Sequence, residues 1–253
     1  MVDCRPGTAL FASAVLLGSI ALALRSLARV EVAPTPDGPA APLLGARVRV
    51  WYRGVTGPAI DFLERAGVHA DAITYAQLVL SVWSAMAFWT GCIFLGGVWV
   101  LIAGTLDVMD GDLARRGGSA GPRGALIDSV VDRWAEAITF FGVGAYFRHE
   151  WVVLVVILAA VSSQMVSYVR ARAEGLGVDL HMGSLQRPER YVLLGFGACG
   201  SGLVSHLVCA ITGQHHDAVL VIALVLLAAL STWTVIERMR HAVAALGRSG
   251  TES

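Results

Sequence analysis

The chain alternates long apolar runs with short, Arg-rich polar connections, and the runs have the length of membrane spans. A helix that crosses the hydrocarbon core needs about 20 mostly apolar residues. Residues 72–106 contain no Asp, Glu, Lys or Arg, too long a run for one such helix. Gly91, Gly96 and Gly97 near its middle predict two helices joined by a tight turn. Further charge-free runs cover 151–169, 191–216 and 218–236. Another helix is predicted over 124–147, apolar in its second half but carrying Asp128, Asp132, Arg133 and Glu136 in its first. Six spans thus follow residue 72, and a further apolar stretch, 8–24, precedes them.

The connections set the orientation, because short basic loops stay cytoplasmic. With the first of the six helices running outward, Arg47, Arg49, Arg53, Arg65, Arg115, Arg116, Arg123, Arg133, Arg170, Arg172, Arg187, Arg190, Arg238, Arg240 and Arg248 all fall on the cytoplasmic side, and Arg148 falls outside. A cleaved signal peptide at 8–24 would export Arg25, Arg29 and the Arg residues up to Arg65, and no clear small-x-small cleavage signal precedes that basic run. The stretch is therefore read as an uncleaved anchor with its N-terminus outside. Residues 32–42, rich in Pro and Ala, read as a linker. Residues 45–66 mix Arg with Val, Trp, Tyr, Phe and Leu and predict an interfacial helix, interrupted near Gly57–Pro58. The expected fold is all-α: a polytopic membrane helix bundle in the cell membrane with six core transmembrane helices, an N-terminal anchor helix and an interfacial amphipathic helix. Its expected parts are 1–44 (anchor and linker), 45–68 (interfacial helix), 69–245 (six-helix domain) and 246–253 (tail).

Composition narrows the function classes. Of 253 residues, 56% are hydrophobic and 15% charged, against about 25% charged in a soluble domain. That excludes a soluble globular enzyme, a disordered protein and a nucleic-acid binder living off a basic surface. The formal net charge is zero, from 19 acidic and 19 basic residues, every basic one an Arg. Four Cys without a CxxC pair read as small hydrophobes.

The few acids are concentrated. Asp107 and Asp110 are three apart on one helix, Asp128 and Asp132 four apart on the next, and GGSAGPRG between them reads as a turn. Two antiparallel helices would bring the four carboxylates to one end of the bundle, with Gly111, Ala114 and Gly124 permitting close backbone approach. Four ionised carboxylates cannot share a small volume without a cation. Oxygen ligands with no His or Cys beside them suit Mg²⁺, Mn²⁺ or Ca²⁺, and four could hold two ions for phosphoryl chemistry. The plainer alternative pairs these acids with Arg115, Arg123 and Arg133 as ordinary helix-end charges; four at these spacings weigh against it. A cation transporter would carry its acids near the bilayer midplane on discontinuous helices with an internal repeat; here they fall near helix ends, and the halves show no repeat.

The spacing Asp107-x2-Asp110-Gly111-x2-Ala114-Arg115-x8-Gly124-x3-Asp128-x3-Asp132 resembles the signature of the CDP-alcohol phosphotransferase family at all eight fixed positions, and the resemblance covers roughly residues 60–245. Within that family YVRARAE (168–174), QRPER (186–190) and ERMRH (237–241) are most similar to bacterial phosphatidylinositol phosphate synthases. The resemblance implies a six-helix membrane enzyme, a homodimer, with its site open to cytoplasm and lipid. It implies that Asp107, Asp110, Asp128 and Asp132 coordinate two ions, Mg²⁺ or Mn²⁺, with Asp132 doubling as general base. It places Gly111 and Arg115 against the CDP moiety of CDP-diacylglycerol and has Asp71, Ala72, Ile73 and Thr74 help hold the nucleotide. Gly121 belongs to the same group but stands where a Thr or Ser often contacts the nucleotide, and Ala70 stands where Pro is usual.

A second cluster is made of Arg alone: Arg170 and Arg172, Arg187 and Arg190, Arg238 and Arg240 all fall at one face. Anchoring to anionic headgroups explains Arg172, Arg187 and Arg240 as well as a phosphate pocket does. Arg170, Arg190 and Arg238 match the positions that bind the acceptor's phosphate in the inositol phosphate-using enzymes, where Lys is usual at 170. Arg forks suit phosphate oxygens, so the expected acceptor is a phosphorylated polyol: inositol 3-phosphate, giving phosphatidylinositol phosphate and CMP. Glycerol 3-phosphate is the alternative. Glu136 is expected behind the metal ligands, Gln164 and Ser167 in interhelical hydrogen bonds, and His215, His216 and Asp217 in a solvated turn.

Overall fold

The computed structural model describes residues 46–118, 121–180, 183, 185–212 and 216–249. The expected anchor and linker, and His215, lie outside them. Seven helices follow in order: α1 (Ala46–Arg65), α2 (Ala70–Trp89), α3 (Ile93–Arg116), α4 (Pro122–Tyr146), α5 (Val152–Glu174), α6 (Arg187–Thr212) and α7 (Ala218–Ser249). Five of them, α2, α3, α5, α6 and α7, are long and apolar enough to cross a membrane. This is a multi-pass membrane protein.

The sixth expected span, α4, is 25 residues long but does not qualify by composition. Asp132, Arg133 and Glu136 interrupt its apolar stretch. It nevertheless runs beside α2 over much of its length: Asp132 meets Gln77 near one end, and ten residues on, Gly142 presses against Ala85. Its polar side is turned inward, with Asp132 and Glu136 buried, while Leu126, Val130, Trp134 and Phe141 face out. A span can carry charge when the charges are buried in protein and paired.

The run 72–106 does break into two helices, but only at Gly91, whose φ of +81° a residue with a side chain rarely adopts. Gly96 and Gly97 lie inside α3 and serve packing instead. A methyl group at Gly97 would stand 2.7 Å from the Gly195 carbonyl oxygen on α6. The expected interruption at Gly57–Pro58 is likewise absent, and α1 runs through Pro58. The turns after the proline are held from outside: Ile60 is buried against Ile73, Met109 and Leu113, and Asp61 pairs with Arg116 at 2.6 Å. Packing there outweighs the one helical hydrogen bond that proline forfeits.

α2 packs between α3 and α4, α3 against α6, and α7 against both α5 and α6. The main core, with Phe88, Val100, Phe140, Val143, Phe147, Leu220 and Leu224, fills the half of the bundle away from α1. Trp83, Trp89, Leu154, Leu158 and Ile222 project outward, as apolar side chains in lipid do. At the core end Tyr146 donates to Asp217 at 2.6 Å, tying α4 to the start of α7. The polar interior collects at the opposite end.

Candidate functional site

Alternating helix direction brings together the starts of α2, α4 and α6 and the ends of α3, α5 and α7. α3 supplies Asp107 and Asp110 one turn apart, and α4 supplies Asp128 and Asp132 one turn apart. Asp132 is 0% exposed and Asp110 3%. Thr74 Oγ1 donates to Asp110 Oδ2 at 2.7 Å, while Asp110 Oδ1 is buried without a partner. Arg187 bonds to both Asp107 Oδ1 and Asp132 Oδ2.

Arg115, Arg123 and Arg133 are engaged elsewhere, with Asp112 at 2.6 Å, Asp71 at 3.1 Å and the Ser129 carbonyl at 2.7 Å. Their direct partners thus lie outside the tetrad, while Arg115 still stands near Asp128 across the first cavity. The positive charge beside the inner carboxylates comes from Arg187, some 55 residues along the chain from Asp132.

Two cavities meet at these acids. One, of about 460 Å³, is lined by His69, Ala70, Asp71, Thr74, Asp110, Gly111, Ala114, Arg115, Gly121 and Arg123. The other, of about 400 Å³, is lined by Asp107, Asp132, Arg170, Glu174, Arg187, Arg190 and Arg238. Asp128 lines both.

Of the residues expected at a nucleotide, Asp71, Thr74, Gly111, Arg115 and Gly121 line the first cavity, and Ala72 and Ile73 do not. Helical periodicity is the reason. Residues 70, 71 and 74 share a face, whereas Ile73 turns into the contact with Ile60, Met109 and Leu113 and Ala72 is exposed on the outside.

Of the six Arg residues of the expected cluster, Arg170, Arg187, Arg190 and Arg238 line the second cavity, in unequal states, and Arg172 and Arg240 do not. Arg190 is buried and its Nε donates to Glu136 Oε1 at 2.8 Å, with Ser167 Oγ 3.4 Å from its Nη2. Arg238 is buried and donates to the Val166 carbonyl at 2.7 Å. Arg170 is exposed and pairs with Glu174 at 2.8 Å. Glu136 does not stand behind the four aspartates, as was expected. It accepts from Ser163 at 2.6 Å and from Arg190, because it points along α4 toward α5 and α6. Gln164 donates to the Arg133 carbonyl at 2.9 Å, the interhelical bond its position predicts.

Two participants escaped the reading by residue type: Gln77 and Tyr191. Gln77 Nε2 lies 3.2 Å from Asp107 Oδ1, 3.1 Å from Asp132 Oδ1 and 3.1 Å from the Tyr191 hydroxyl. The available signal was Gln77 standing one turn after Thr74, on the same helix face, in a run without charge.

Among the described residues, no three His, Cys, Asp or Glu side chains converge closely enough, as placed, to grip an ion. The chemistry of the donors nonetheless fits a hard divalent cation: carboxylate oxygens alone, two of the acids buried, and one buried oxygen of Asp110 without a partner. The inner pair is also recessed. From Asp107 to the end of α3 is nine residues and from the start of α4 to Asp132 is ten, or about 14–15 Å at 1.5 Å per residue. That is deeper than a helix-end position, but both helices are continuous, unlike the broken helices of a transporter site.

A family model described as CDP-alcohol phosphatidyltransferase matches residues 67–244. The phosphatidylinositol phosphate synthase of Mycobacteroides abscessus is 33% identical over 204 residues, covering 79% of this chain and 88% of that protein. The archaetidylinositol phosphate synthase of Methanothermobacter thermautotrophicus is 31% identical over 189 residues, covering 74% and 90%. A crystal structure of the Mycobacterium tuberculosis phosphatidylinositol phosphate synthase with CDP-DAG bound is similar with a TM-score of 0.62 at 28% identity, covering 74% of this chain and 93% of that one. Another crystal structure of that enzyme, in complex with manganese and citrate, has a TM-score of 0.62 at 29% identity, covering 74% and 88%. By the extent of the family match and by relatives above 30% identity across most of their own length, the chain belongs to the CDP-alcohol phosphatidyltransferase family.

Proposed function

We propose that this enzyme moves the phosphatidyl group of CDP-diacylglycerol to a hydroxyl of a phosphorylated polyol, with inositol 3-phosphate as the acceptor, giving phosphatidylinositol phosphate and CMP. The observation that carries the reading is the pair of cavities joined at Asp128, one closed by Arg115 and the other lined by Arg170, Arg187, Arg190 and Arg238. A nucleotide diphosphate fits the first and an anionic acceptor the second. The relatives named as inositol phosphate-type synthases support the acceptor, and the related structure with CDP-DAG supports the donor.

Asp107, Asp110, Asp128 and Asp132 would hold the divalent ions, two of Mg²⁺ or Mn²⁺; the related structure with manganese supports this. Such ions supply charge compensation for the pyrophosphate and for the departing CMP. The protein's own groups do the rest. Arg115, lying close to the backbone of Gly111, holds the CMP end. Arg238, Arg190 and Arg170 hold the acceptor's phosphate and aim its hydroxyl at the phosphorus that bears the diacylglycerol. Asp132 takes the hydroxyl proton as the new oxygen–phosphorus bond forms and the bond to the CMP oxygen breaks. The positive-inside distribution of Arg supports a site on the cytoplasmic side, and the resemblance to the family supports a homodimer as the working unit.

The test is an assay of the purified protein with CDP-diacylglycerol, Mg²⁺ or Mn²⁺, and one acceptor at a time. Turnover with inositol 3-phosphate, lost on chelation, is expected. Turnover with glycerol 3-phosphate in its place would make the enzyme a phosphatidylglycerophosphate synthase. Turnover with free inositol but not its phosphate would overturn the phosphate pocket.

A further inference from the structure

We infer that Gln77 is a positioning residue that fixes Asp107 and Asp132 relative to each other, and that it tunes metal affinity and turnover without touching substrate. The inference rests on the reading of these two acids as metal ligands.

Gln77 is 0% exposed, and its single Nε2 reaches Asp107 on α3, Asp132 on α4 and the Tyr191 hydroxyl on α6. α3 and α4 each pack on α2, which lies between them. Arg187 bridges the two carboxylates from the cavity side, and Gln77 is the α2 side chain that bridges them from within the bundle. Its partner on α6 is itself held: Tyr191 is buried, and a methyl group at Gly104 would stand 2.7 Å from its Cβ.

The choice of a primary amide follows from what the site needs. Two N–H groups can serve two carboxylates without cancelling their charge, which a Lys or Arg at this position would do. Both contacts fall on Oδ1, which turns each Oδ2 away from the amide. Asp132 Oδ2 then faces Arg187 and the Arg-lined cavity. The amide gives up something for this arrangement: its own Oε1 is buried without a hydrogen-bond partner. A group that leaves its acceptor unbonded so that its donors stay on the acids is held by those acids. Residues that orient metal ligands in this way change metal affinity or activity by about 10–100-fold when removed.

The test compares wild type with Gln77→Met, which matches the length of glutamine and lacks its donors. The expected result is a drop in kcat of about 10–100-fold with KM for both substrates within about twofold, and a rise of about 10–100-fold in the Mn²⁺ concentration giving half-maximal thermal stabilisation. Wild-type kcat together with a wild-type Mn²⁺ midpoint overturns the inference. If the Met variant does not fold, Gln77→Asn is read instead; it keeps the amide one methylene short of its partners, and the same shifts are expected, with wild-type values again overturning the role. Wild-type protein with no stabilisation by Mn²⁺ would sink the metal reading itself, so the two failures are separable.

Discussion

Asp132 is fully buried yet ringed by donors, with Gln77 on one oxygen and Arg187 on the other. Those two contacts orient both oxygens beside the Arg-lined cavity, the placement that the proposed proton transfer needs. Asp132→Asn keeps the shape and removes the proposed base. Turnover is expected to fall by at least about 10²–10⁴-fold, while binding of CDP-diacylglycerol, followed by its effect on thermal stability, is largely retained; unchanged turnover would remove Asp132 from the proton-transfer role. Glu136 differs, being tied to Ser163 and Arg190 and not to the four aspartates. Glu136→Gln leaves a buried Arg190 uncompensated, and breaking such a buried pair costs about 3–5 kcal/mol. A lower Tm is expected, with a raised KM for the phosphorylated acceptor and an unchanged KM for CDP-diacylglycerol. An unaltered acceptor KM would detach Glu136 from the acceptor cavity.

At the scale of helices, the site depends on contacts made far from it. Gly142 of α4 lies so close to α2 that a methyl group there would stand 2.3 Å from the Ala85 Cα, a backbone atom that cannot swing aside. Gly142→Ala should push α4 from α2 and cost about 1–3 kcal/mol as overpacking, read as a lower Tm in detergent; activity should fall as well, because the same two helices carry Asp132 and Gln77. A Tm equal to wild type would show that the helices separate freely. Spans and acids were legible in the chain because both are periodic: charge-free runs of membrane length, and aspartates at spacings of three and four. The uses of glycine were not. Gly91 turns the chain while Gly96 and Gly97 pack helices, and composition treats them alike. Nor could spacing show that Arg187 reaches Asp132, or that Tyr191 meets Gln77 from 114 residues away. Those contacts exist only once α6 docks on α3, and a single polar residue in an apolar run does not name its partner.

At the scale of the whole molecule, the two cavities open on the same end of the bundle and share Asp128 as a wall. One is lined chiefly from α2, α3 and the start of α4, the other from α4, α5, α6 and α7, so each can be filled while the other is occupied. Among the described lining residues the hydroxyl held by a carboxylate is that of Thr74, and it is buried on Asp110, a proposed metal ligand; direct transfer from donor to acceptor is the expected route. Donor and acceptor must then be bound together, and proximity within one complex supplies much of the rate. Initial velocities measured against both substrates are expected to give intersecting, sequential patterns. Labelled CMP should not exchange into CDP-diacylglycerol when the acceptor is left out, since the reverse step needs the phosphatidyl product. Exchange without acceptor, together with parallel velocity patterns, would demand a covalent intermediate. Arg238→Gln sharpens the same argument: it empties charge from the acceptor cavity alone, so it should raise acceptor KM several-fold, leave CDP-diacylglycerol binding intact and keep the kinetic pattern sequential.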